Sequence, residues 1–86
     1  MELMYIYLYN SNIKNQLLED VLITEGIISM DINNLTNEYK NKLIDKSILP
    51  IQDHIFIIYF NNKVRTYQSN YDNFIKIKNK INKLLS

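Results

Sequence analysis

Residues 54–68 read HIFIIYF-NN-KVRTYQ, and no other stretch limits more tightly what this chain can become. Six apolar residues in a row, Ile55 to Phe60, are too few for a buried helix. They are also rich in the β-branched and aromatic types that suit a pleated surface. Asn61-Asn62 follows at once, and Asn tolerates the positive φ angles of a two-residue type I′ turn. Beyond it Val64, Thr66 and Gln68 alternate with Lys63, Arg65 and Tyr67. The pattern predicts a hairpin whose first strand is central, apolar on both faces, and whose second lies at an edge where charges discourage unwanted pairing.

The rest of the chain is read around that hairpin. Leu3 to Tyr9 predicts an interior strand, with Tyr5, Tyr7 and Tyr9 on one face and Met4, Ile6 and Leu8 on the other. Asn10-Ser11-Asn12 breaks it, and Asn12 is the expected cap of a helix in which Ile13, Leu17 and Val21 recur one turn apart. Gly26, the single glycine, stands where a left-handed residue would end that helix. Ile27 to Ile32 reads as a second short strand. Asn34 or Thr36 then caps a helix carrying Leu35, Tyr39 and Leu43, which must stop before Pro50 because a residue preceding proline favours extended geometry. After the hairpin, Ser69 or Asn70 caps a last helix. Its apolar stripe is Tyr71, Phe74, Ile77, Ile81 and Leu84 or Leu85, with Lys76, Lys80 and Lys83 outside.

Strand, helix, strand, helix, hairpin, helix is an α/β order. The first two strands are parallel by the crossover rule and the hairpin adds two antiparallel ones. This βαβαββα order, a mixed four-stranded sheet with helices on both faces, resembles the thioredoxin and glutaredoxin family over nearly the whole chain. IISMDIN looks like that family's second strand, SILP like the segment leading to its cis-proline, NNKVRTY like its closing hairpin, and YNSNIKN stands where it carries Cys-x-x-Cys. The resemblance implies a thioredoxin-like fold and a cis bond before Pro50. It carries no redox chemistry, because Ser11, Asn12, Ile13 and Lys14 fill the motif without cysteine. The family's Gly-Gly turn is likewise replaced by Ser69-Asn70, and Ile51 to His54 are extra. A ferredoxin-like or other small α/β sandwich is the rival reading, should Ile27 to Ile32 be helical.

Composition narrows function more than it defines it. At 86 residues there is room for one modest core, hence a single domain spanning residues 1–86. Without cysteine there is no disulfide, thiolate metal site or thiol nucleophile. A single glycine leaves no means of building a phosphate loop. His54 is the only histidine and has no serine or cysteine beside it, so it reads as a solvated or capping residue. Ser11 and Lys14 read as a cap and a surface lysine rather than a catalytic pair. Asp31, Asp45, Asp53 and Asp72 lack calcium-loop spacing. No cofactor, metal or catalytic set is predicted, and the expectation is a protein that is not an enzyme.

No apolar run approaches a membrane span, and the first residues lack a signal-peptide pattern, which points to a cytoplasmic protein. Abundant Asn, Ile, Lys and Tyr with no Ala match A/T-rich codons.

Two surfaces are candidate partner sites. One is the tyrosine row Tyr5, Tyr7 and Tyr9, with Tyr59 and Tyr67 expected near it across the sheet; the alternative is that these rings are core beneath a helix. The other is the basic edge of Lys63 and Arg65, continued by Lys76, Lys80 and Lys83. Together they suggest a cysteine-free binding module that docks on a protein, with homo-oligomers allowed. Small size and codon bias suit a phage- or virus-encoded inhibitor acting in a host cytoplasm. The alternative is a nucleic-acid contact through the basic surface, weak because net charge is only +1. A degenerate redox role would need a partner's thiol.

Overall fold

In the computed structural model, which describes residues 3–85, the chain forms an open four-stranded mixed sheet with three α-helices. The strands are β1 (Leu3–Tyr9), β2 (Ile27–Asp31), β3 (Ile55–Phe60) and β4 (Lys63–Gln68), in the order β2-β1-β3-β4. The helices are α1 (Leu17–Leu22), α2 (Asn37–Asp45) and α3 (Tyr71–Leu85). β1 and β2 are parallel, while β3 runs antiparallel to both β1 and β4. The Leu49–Pro50 bond is cis.

The predicted hairpin is present. Asn61 and Asn62 both take positive φ, 48° and 68°, as a type I′ turn requires, and set Phe60 opposite Lys63 and Phe56 opposite Tyr67. Because side chains alternate along a strand, this register sorts the sheet into two cores. Tyr5, Tyr7 and Phe56 lie under Leu17 and Val21 of α1 and Phe74, Ile77 and Ile81 of α3. Ile6, Leu8 and Ile57 pack on the other face with Leu43 of α2 and Ile48.

Helix ends depart from expectation for local reasons. Asn12 does not cap α1. Its own N–H is taken by Asn10 Oδ1, and the helix begins only at Leu17, whose N–H donates to Asn15 Oδ1. β2 stops at Asp31 because the Asp31 side chain accepts the Asn33 N–H and turns Ile32–Asn34 into a short 3₁₀ segment. Thr36 caps α2, accepting from the Tyr39 N–H, and Asn70 caps α3 through the Asn73 N–H. Tyr71 and Leu84, assigned to the buried stripe of α3, are largely exposed.

Gly26 does not terminate α1. It sits three residues beyond the Ile23 cap at φ +91°, at the entry to β2, and a Cβ there would lie 2.7 Å from Ile81 Cγ2. The left-handed residue that does end a helix is Ser47, at φ 61°. Its N–H donates to the Ile44 carbonyl and the Ile48 N–H to Leu43, a Schellman arrangement closed by Leu43 and Ile48 in one core.

Candidate functional site

Strand periodicity places the tyrosines, and it corrects the aromatic surface. Tyr5 and Tyr7 are buried beneath α1 and α3 and are unavailable to a partner, so the core alternative describes them. Tyr9 and Tyr67 are half-buried against the same cluster, Tyr9 stacked 6.2 Å from Tyr7. Tyr59 is on the opposite face, across from Val64, with its hydroxyl donating to Asn62 Oδ1 at 2.6 Å. The five rings therefore do not form one row.

His54 is buried rather than solvated or capping. The four residues before β3 turn it inward, edge-on to Tyr7 and Tyr9, with its own N–H donating to Asp53 Oδ1. Its Nδ1 accepts the Asn10 N–H at 3.1 Å, so the ring proton belongs on Nε2, which is buried without a partner. Ser29 Oγ is a second buried polar atom without one. Nearby, the Tyr7 hydroxyl and Ser69 Oγ share a 2.7 Å hydrogen bond. Burial pushes the Tyr7 phenol above its ordinary value and the Asp53 charge adds to this, outweighing the stabilising Ser69 bond.

Beyond the ends of β1 and β2, Asn33 Nδ2 donates to Asn10 Oδ1, Ser11 Oγ and Asp31 Oδ1, each at 3.0 Å. Partial burial alone would raise the Asp31 carboxyl; hydrogen bonds from Asn33 and Ser11 overcome that and hold it below its usual range. Ser11 is thus tied into a loop-fixing network, and Lys14 is exposed. The Ser11 N–H and the Asn33 amide tie residues 10 and 11 to the turn after β2. The described residues contain no cluster of three or more His, Cys, Asp or Glu able to hold a metal, and no helix long and apolar enough to cross a membrane.

The basic residues are on the surface. Lys63 and Arg65 are exposed on β4, on the sheet face that α3 covers, and Lys76, Lys80 and Lys83 are exposed on α3 away from Phe74, Ile77 and Ile81. Lys78 lies over the Phe74 ring at 5.5 Å instead.

The contrast between the two sheet edges escaped the sequence reading. β4 presents Lys63 and Arg65, the usual guard against edge pairing. β2, IISMD, has no basic residue or proline, and Ile28 is 47% exposed. Toward α1 and at its ends its surroundings are acidic: Glu25 precedes it, Asp31 ends it, and Glu19 and Asp20 lie on α1, which packs against it, while Lys42 and Lys46 lie near Met30 on the other face. The signal was present in the composition of residues 27–31, but only strand order shows that this strand is an edge.

No family model, curated protein or solved structure matches this chain.

Proposed function

We propose that this protein is a non-catalytic, thioredoxin-like binding module that docks on another protein by accepting one of its extended segments along β2. The observation that carries the reading is the unguarded edge: an edge strand with exposed Ile28 and with neither a basic residue nor a proline to repel a strand. The mixed sheet with β3 reversed and the cis bond before Pro50 support the thioredoxin-like reading. The acidic flanks favour a segment bearing Lys or Arg. They disfavour a second copy, because β2 pairing with itself would bring two acidic borders together. Small size and a composition rich in residues with A/T-rich codons support a phage or viral accessory protein that inhibits a host factor in the cytoplasm.

The test is selection of binders from a displayed random-peptide library, followed by amide chemical-shift mapping and light scattering. Basic-flanked peptides that shift Ile28 and Met30, with binding abolished by Ile28→Lys, are the expected result. Binders that map to β4 or α3, equal binding by the folded Ile28→Lys protein, or dimerisation through β2 would overturn the reading.

The second reading, nucleic-acid contact, is favoured by the shared outward side of Lys76, Lys80 and Lys83. It predicts a log–log salt slope of about −0.9 per phosphate neutralised on duplex DNA. Anisotropy at low and physiological salt distinguishes the two. Tight binding that survives physiological salt and is lost on changing the three lysines to Glu would promote this reading.

A further inference from the structure

The face of the sheet under α2 is incompletely covered. At about 1.5 Å per residue the nine-residue α2 is roughly 14 Å long, whereas the seven residues of β1 extend roughly 23 Å. A cleft of about 150 Å³ is left open there. Ile6, Leu8 and Ile57 form its floor, and Leu43 of α2 and Met30 of β2 its sides. Such a volume accommodates one phenyl-sized group, since an apolar cavity of about 150 Å³ holds benzene.

Its charge is one-sided. Lys42 of α2 and Lys46, the residue that ends that helix, line the cleft, and no acidic residue does. Both lysines are exposed, and neither forms an ion pair with the described residues. The other polar lining side chains are Tyr39 and Tyr59, and the Tyr59 hydroxyl is already bonded to Asn62. An apolar floor with two unpaired ammonium groups on one wall complements an apolar body carrying a single negative charge.

We infer that this cleft is a binding site for a small amphipathic carboxylate, a phenyl-sized or short-chain acid with its apolar part against Ile6, Met30 and Val64 and its carboxylate toward Lys42 and Lys46. The site is on the opposite face from α1 and α3; Met30 of β2 borders it, so the amides of Leu43 and Ile57, away from the β2 edge, are the shifts that distinguish it from strand addition.

The experiment is an NMR titration of the full chain with 3-phenylpropionate and, separately, with 3-phenylpropan-1-ol, which has the same body without the charge. The acid should give saturable shifts at the amides of Met30, Leu43 and Ile57 and bind about tenfold tighter than the alcohol at low salt, as expected for one or two solvent-exposed charge contacts. The double variant Lys42→Gln, Lys46→Gln should reduce the acid to the affinity of the alcohol and leave the alcohol unchanged. Val64→Phe, which fills the mouth from β4, should abolish both; Met30→Phe serves from the β2 side should the first fail to fold. Absence of saturable shifts at these amides, equal affinity for acid and alcohol, or undiminished binding by a folded cleft-filling variant would overturn the assignment.

Discussion

Gly26→Ala tests the packing of α3 against the entrance to β2. Two costs add. At φ +91° an alanine carries the left-handed penalty of about 1–2 kcal/mol. The new methyl would also lie 2.7 Å from Ile81 Cγ2, and overpacking of this kind costs about 1–3 kcal/mol. That contact is not easily relieved, because Cγ2 belongs to the branched carbon of a buried helical isoleucine, a side chain with one favoured χ1. Alanine recovers about 0.4–1 kcal/mol by restricting the unfolded chain, leaving a net loss of about 1–5 kcal/mol. At about 0.05–0.15 kcal/mol per residue, 86 residues hold about 4–13 kcal/mol in total, so the loss should be plain in a urea melt. Ile81→Ala removes the clashing atom but not the backbone strain. The double variant should therefore be about 1–2 kcal/mol more stable than the sum of the single effects predicts. A cost below about 1 kcal/mol for Gly26→Ala, or no coupling in the cycle, would refute the close approach.

Phe56→Ala should cost about 3–5 kcal/mol, because the ring is 1% exposed and lies 4.7 Å from Tyr7 and 6.4 Å from Phe74. Phe60, 39% exposed at the end of the same strand, should cost much less, and equal losses in denaturant melts would contradict the two placements. At Ser47, glycine should be tolerated or slightly stabilising, whereas valine should cost about 1–2 kcal/mol in the same assay, since a β-branched residue is a poor left-handed helix cap. For Asp31 the folded carboxyl is lowered, so its contribution is complete above the ordinary aspartate value of about 3.9 and is lost as pH falls through the lower folded value. The stability gap between the protein and Asp31→Asn should accordingly shrink through that acid range in pH-dependent melts, and a constant gap would count against the hydrogen-bond network.

The parts of the fold legible in the sequence were those set by short-range rules. A period of two separated Tyr5, Tyr7 and Tyr9 from Ile6 and Leu8, and turn chemistry located Asn61-Asn62. What was not legible depended on contacts between distant residues. Asn10 takes the N–H of Asn12, and Asn33 gathers Asn10, Ser11 and Asp31, so helix propensity from residue 13 onward yields to a loop fixed from 22 and 23 residues away. His54 looked like the polar start of a strand, yet the Asn10 N–H and two tyrosine rings draw it inside. A left-handed position was sought at the only glycine, and the one that ends a helix fell on Ser47, held by Leu43 and Ile44. The α2 cleft depends on where α2 and the segment after it settle on the strands beneath, a placement no local pattern contains.

The candidate binding features follow the same division. Tyrosine density along β1 suggested an interface, but a central strand with helices packed over one face has no aromatic surface to offer on that side. Exposed apolar residues are instead scattered over the helices and the margins, among them Ile44 of α2, Tyr71 and Leu84 of α3, Ile28 on the edge strand and, 82% exposed, Ile23 just beyond α1. The lysines of α3 and the charges of β4 occupy other positions, and Lys63 and Arg65 already have a physical role in keeping that edge unpaired. A chain that guards one edge with charge and leaves the other bare has different constraints on the two. Protection alone explains β4, whereas a bare, acidic-bordered β2 is an aggregation hazard unless something of opposite charge covers it. On that argument Ile28→Lys separates the possibilities by solubility as well as by binding. Added charge should raise the solubility of the isolated protein while removing its capacity to accept a strand, and a variant that gained neither property would show that the β2 edge is already closed.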